Sequence, residues 1–147
     1  MKELLSEKLK HTMTYEAYRN LIDELIAAGK TTGPNQSEAM VGYTKMNAQR
    51  MKRLDKKMAL EENIVQAVNE LQGEHIWVVI TEGWCGDAAQ TVPIIQKIAE
   101  STDKITLKLI LRDDHPELID QFLTGGARAI PKLISIDKNS YEVLATW

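Results

Sequence analysis

Two seven-residue apolar runs, "HIWVVIT" (His75–Thr81) and "ITLKLIL" (Ile105–Leu111), bracket a stretch that reads as helix from Gly86 to about Ser101. Runs of this length and β-branched content read as buried strands. Two parallel strands need a crossover of a dozen or more residues, and a helix of this length provides one, so the segment is a βαβ unit. Downstream, "HPELIDQFL" reads as a short helix beginning at Pro116, a residue suited to a first turn. "PKLISID" and "YEVLATW" flank the turn "KNS" and read as an antiparallel hairpin. The second half is therefore β-α-β-α-β-β, with strands near 75–81, 105–111, 131–136 and 141–145. Its sole cysteine, Cys85, falls at the C-terminal end of the first strand, where ligands and chemistry collect in open α/β sheets.

Before residue 73 the pattern is helical. Tyr18, Leu21, Ile22, Leu25 and Ile26 recur with the spacing of one helix face, and Gly29 is a stop signal. "TTGPNQSE" (Thr31–Glu38) reads as a loop ending in Asn35-x-x-Glu38, a capping-box-like start. The helix it opens is predicted over about 36–58, with Met40, Tyr43, Met51, Leu54 and Met58 as its apolar stripe. A shorter helix over about 61–71 carries Ile64, Val65, Val68 and Leu71.

A chain of 147 residues, 44% hydrophobic and 27% charged, fits one soluble globular domain. The net charge of −3 gives no reason to seek nucleic acid, and no apolar run approaches the ~20 residues that span a bilayer. The N-terminus lacks the apolar core of a secretory signal, and a lone cysteine forms no internal disulfide, so cytoplasmic residence is expected.

From about residue 61 onward the chain resembles the thioredoxin-like superfamily. Trp84-Cys85-Gly86 sits at the strand-to-helix junction. Pro93 follows the cysteine by eight residues, and Ile130-Pro131 lies where that family places a cis-proline facing the sulfur. The whole chain, with "GPNQSEAMVGYTKMNAQRMKRLDKKM", "WCGDAAQ" and "RAIPKLI", is also similar to bacterial thioredoxin-family proteins with an N-terminal helical extension. The resemblance implies a three-layer α/β sandwich with a four-stranded mixed sheet in the order 4-3-1-2. It would be one domain, residues 1–60 forming a helical extension packed on a thioredoxin-like core of 61–147.

Three departures qualify what the resemblance implies. Ala88 stands where the family has its second cysteine, and Val79 stands where thioredoxins carry a buried acid six residues before the first. No C-terminal helix follows the hairpin before Trp147, so the N-terminal helices are expected to cover part of the sheet.

The expected chemistry centres on Cys85. At a helix N-terminus, free backbone N–H groups favour thiolate over thiol. Gly86 allows a partner chain to approach closely, while Asp87 opposes the thiolate by its charge. Arg128, three residues before Pro131, is expected near the sulfur and would offset Asp87, giving a thiolate below the free-cysteine pKa of ~8.5. Backbone groups beside Pro131 would dock an extended peptide.

Without a resolving cysteine, a mixed disulfide needs an outside thiol. The leading reading is therefore monothiol thiol–disulfide exchange, using Cys85, Trp84, Gly86, Asp87, Pro131 and Arg128. The partner would be a protein thiol or disulfide or a low-molecular-weight thiol, with no resident cofactor. One alternative is a non-catalytic binding module in which Cys85 is unreactive. Another is an iron–sulfur cluster shared between two chains, from the likeness of Cys-Gly-Asp-Ala to monothiol glutaredoxins. His75 and His115 lie far apart in sequence, which argues against a closed zinc site. The methionines at 40, 46, 51 and 58 read as packing residues. The segment 45–57 carries Lys45, Arg50, Lys52, Arg53, Lys56 and Lys57 against Asp55 alone. It reads as a solvated helix face, or as an anion-recognition surface if it lies near Cys85.

Overall fold

A computed structural model describes residues 1–147. The strands are β1 (His75–Thr81), β2 (Ile105–Leu111), β3 (Lys132–Asp137) and β4 (Val143–Thr146). They form one sheet in the order β2-β1-β3-β4, the 4-3-1-2 arrangement read from the opposite edge. β1 and β2 run parallel from His75↔Ile105 to Thr81↔Leu111; β1–β3 and β3–β4 are antiparallel. A register shift at Ser135/Ile136 irregularises the last pairing, and the fourth strand begins two residues later than predicted.

The alternation of β1 and β2 sorts their side chains onto two faces. One face, with Val79, Leu107, Leu109, Leu111 and Leu133, packs under α5 (Gly86–Glu100), whose Val92, Ile95 and Ala99 are buried. The N-terminal helices α2 (Tyr15–Ala27), α3 (Glu38–Lys57) and α4 (Glu62–Asn69) add Tyr18, Ile22, Met51 and Val68 to this cluster. The other face, with Val78, Ile80, Ile110, Ile134 and Ile136, packs against Leu5 of α1 (Lys2–Lys8). It also meets Leu118 and Ile119 of α6 (Pro116–Ile119). The result is a helix–sheet–helix sandwich. None of its helices is long and apolar enough to cross a membrane.

The extension also closes an edge. Met13 exchanges two backbone hydrogen bonds with Leu109, each 2.8 Å, so β2 does not present that stretch of its ladder to another chain. The helices of the extension do not cover the sheet where β3 and β4 leave α5. There, Trp77, Ile94, Ile98, Leu133 and Trp147 line an apolar groove of about 430 Å³.

Helix ends follow local chemistry. Thr14 caps α2 by accepting the Ala17 N–H at 3.1 Å. Gly29, at φ +71°, ends that helix while Lys30 N–H returns to the Leu25 carbonyl at 2.8 Å. The cap of α3 is Ser37, which accepts from Met40 N–H, and not Asn35. Asn35 instead turns the loop by accepting from Ser37 N–H at 3.1 Å.

The buried face of α3 is Val41, Thr44, Asn47 and Met51: Met51 is buried as predicted, whereas Val41 and Thr44 take the places expected of Met40 and Tyr43. Two of these are polar because they serve the neighbouring loops. Thr44 hydrogen-bonds the Thr31 hydroxyl, and Asn47 donates to the Gly83 carbonyl at 3.1 Å. Tyr43 and Met46 are left exposed.

Gly83 is pinned by this packing, since a Cβ there would lie 2.5 Å from Ile22 Cδ1. Gly83→Ala is expected to cost about 1–3 kcal/mol by overpacking. Urea unfolding checks this; an unchanged midpoint would mean that α2 moves aside freely.

Candidate functional site around Cys85

β1 ends at Thr81, and four residues, Glu82 to Cys85, carry the chain into α5. Cys85 is the N-cap of that helix, with extended backbone at φ −80° and ψ 115°. Its Sγ accepts the Ala88 N–H at 3.4 Å and donates to the Ile130 carbonyl at 3.5 Å. The Ile130-Pro131 peptide bond is cis. The structure thus brings Cys85, Trp84, Gly86, Asp87 and Pro131 together. A cleft of about 390 Å³ opens beside them between Asp87–Thr91 of α5 and Ala129–Lys132.

Arg128 does not join them. Its guanidinium makes an exposed bidentate pair with Asp120 at 2.7 and 2.8 Å. The cation whose field acts on the sulfur is Arg112. Its guanidinium stacks 5.0 Å from the centroid of Trp84, and it donates to Asp113 at 2.8 Å and to the Arg128 carbonyl at 3.1 Å. Arg112 directly follows β2, at the same sheet end as Cys85, and that position was the available signal in the sequence.

The electrostatic balance at Cys85 also differs from expectation. Burial of the half-exposed sulfur is the largest influence and pushes the thiol up. The backbone N–H groups of Ala88 and Asp87 pull it down, the Asp87 carboxylate raises it, and Arg112 lowers it. Burial wins, so the thiol lies above the ordinary cysteine value.

A buried acid is present at a position the sequence reading missed. Glu82, 0% exposed, accepts hydrogen bonds from the Thr32 hydroxyl and from Asp113 N–H. Burial raises its carboxyl despite these donors. Thr32 also accepts the Gly83 N–H at 2.9 Å, so one side chain holds two consecutive residues of the loop before Cys85. Gly33 permits this approach: it sits at φ +79°, and a Cβ there would come within 2.8 Å of Asp113 Oδ2. Both oxygens of Glu82 are engaged, which makes it an anchor for the loop.

The remaining candidates are structural. His75 is fixed between Ser135 and the Gln72 carbonyl, and His115 lies beside Lys8 on the opposite helical layer. No three His, Cys, Asp or Glu side chains gather in a way that could hold a metal ion.

No curated protein matches the chain. Two solved structures are similar, an HIV epitope scaffold and a protein of unknown function from Pseudomonas aeruginosa. Each is 18% identical with a TM-score of 0.56, over 92% of this chain and 76% of theirs, which is a likeness of fold. A family model described as thioredoxin matches residues 33–147, a span that takes in α3 and the Gly33 loop as well as the sheet. The single-cysteine loop, the four strands of the sheet and α3 all lie within that match, and the chain belongs to this thioredoxin family.

Proposed function

We propose that the chain carries out thiol–disulfide exchange with Cys85 as its single nucleophilic sulfur. The observation that carries this reading is the placement of Sγ. It caps a fifteen-residue helix, takes a backbone N–H from Ala88, and lies beside the cis-proline cleft. A thiolate there attacks one sulfur of a disulfide R–S–S–R′. The S–S bond breaks, R′–S⁻ leaves with the electron pair, and Cys85–S–S–R remains. No second cysteine exists in the chain, so an external thiolate attacks the mixed disulfide, forms its own disulfide with R and releases Cys85 as thiolate. The partner is a small thiol or a thiol-bearing protein, and a reducing compartment such as the cytoplasm would supply the resolving thiol.

A second reading, a non-catalytic binding module, draws on one feature: the sulfur is partly buried, which pushes the Cys85 thiol above its ordinary value and disfavours the thiolate. In that case the cleft beside Pro131 would bind a partner without sulfur chemistry.

Alkylation of Cys85 by iodoacetamide across pH separates the two. Because the folded thiol is raised, the rate should climb with pH and level off above the ordinary cysteine value of ~8.5. Asp87→Asn removes a charge that opposes the thiolate and should move the profile to lower pH, whereas Arg112→Gln should move it higher. Incubation with small disulfides should give a mixed disulfide visible by mass, absent in Cys85→Ser. A sulfur that neither alkylates nor forms that adduct over the accessible pH range leaves the binding module as the better reading.

A further inference from the structure

A second cleft opens on the other side of the active-site loop, away from Pro131. It holds about 420 Å³ and is lined by Tyr43, Met46, Asn47, Arg50, Trp84 and Gly86. Small-molecule sites commonly span about 300–1,000 Å³, so this one has room for a compact organic ligand. Tyr43 and Met46 stand 52% and 48% exposed there, apolar surface held open next to the cysteine loop.

Arg50 is the only charged side chain lining that cleft, and it is preorganised. Its Nη1 donates to Asn47 Oδ1 at 3.1 Å, and Asn47, 1% exposed, donates in turn to the Gly83 carbonyl. A Cβ on Gly86 would lie 3.5 Å from the same Nη1, which places the guanidinium over the backbone of the residue after Cys85. Arg50 forms no salt bridge, and neither do Arg53 and Lys57, one and two turns further along the helix. The acid of this segment, Asp55, is occupied by Arg19 and Tyr15. A guanidinium offers five N–H donors, and most of those on Arg50 remain free for an anion. One guanidinium matches one carboxylate, so a singly charged acid fits this cleft better than a multiply charged one.

We infer that this cleft is a subsite for a small carboxylate-bearing thiol or disulfide. Arg50 binds the carboxylate, and Tyr43, Met46 and Trp84 pack its methylene chain. The inference rests on the exchange reading and specifies the substrate class for it.

Three symmetrical disulfides that differ in terminal charge provide the test. They are 3,3′-dithiodipropionate, bis(2-hydroxyethyl) disulfide and cystamine. In each case the Cys85 thiolate takes one half and the other half leaves as thiolate, and the adduct is followed by intact mass at one pH. Dithiodipropionate should react faster than cystamine by about fivefold or more, each normalised to the neutral disulfide. Arg50→Gln should bring that ratio within about twofold of unity, while Lys52→Gln, the same charge change on another side of α3, should keep it. A wild-type ratio near one, a ratio that survives Arg50→Gln, or an equal loss in Lys52→Gln would overturn the inference.

If none of the three modifies Cys85, the exchange reading itself has failed, and the subsite is judged without chemistry. Titration with 3-(methylthio)propionate, which has the carboxylate but no exchangeable sulfur, should shift the Trp84 indole N–H resonance in wild type. It should not do so in Arg50→Gln. No shift in wild type, or the same shift in both, refutes the subsite.

Discussion

Removal of residues 1–60 is expected to leave a fragment that aggregates or fails to unfold cooperatively. Leu5, Tyr18, Ile22, Val41 and Met51 are all buried; Tyr18, Ile22 and Met51 belong to the core on one face of the sheet and Leu5 to the core on the other. At about 1.5–3 kcal/mol for each buried side chain, their combined contribution is as large as the net stability of a typical domain, ~5–15 kcal/mol. The deletion also strips Thr32 from Glu82 and Asn47 from Gly83, so the loop before Cys85 loses the side chains that hold and cover it. It also bares the β2 ladder at Leu109, where Met13 now pairs. Circular dichroism and urea titration of fragment 61–147 provide the check. A soluble fragment with a single sharp transition would show that the extension is an appendage.

How much of this was legible beforehand differs by element. β1, β2 and α5 follow from one-dimensional pattern. Strand runs bounded by polar turns and a helix of crossover length leave little freedom, and residues 75–81 and 105–111 are strands as read. The face of α3 was misread because periodicity counts apolar residues, whereas this helix buries Thr44 and Asn47 to serve loops far away in sequence. Arg112 and Arg128 are indistinguishable by residue type. Only the packing shows that Asp120 takes one and that Trp84 carries the other. Glu82 lies three residues beyond the family's acid position, which Val79 occupies, and carries no sequence signal of its own. Its burial becomes visible only when the Thr32 loop folds over it. The direction of the Cys85 shift has a related cause: helix position can be read from sequence, but burial of the sulfur by tertiary packing cannot.

Ala88→Cys is expected to convert the chain into a dithiol protein with an internal, redox-active disulfide. Ala88 lies in the first turn of α5, and its N–H already points at the Cys85 sulfur from 3.4 Å. A thiol at position 88 would complete a Cys-x-x-Cys turn, the arrangement that lets a second sulfur attack the mixed disulfide. Ala88 is nearly fully buried, so the new thiol would be shielded from bulk oxidants and presented mainly to Cys85. The wild type should stall as an adduct with a small disulfide until an outside thiol arrives. The variant should instead expel the small thiol and close on itself with no outside thiol present. Intact mass after exposure to bis(2-hydroxyethyl) disulfide distinguishes the outcomes: wild type gains one adduct, whereas the variant loses two hydrogens. An adduct that persists on the variant, with the thiol at position 88 still free to alkylate after unfolding, would mean that the turn cannot bring the sulfurs together. The absent cysteine would then not be all that separates this site from a dithiol one.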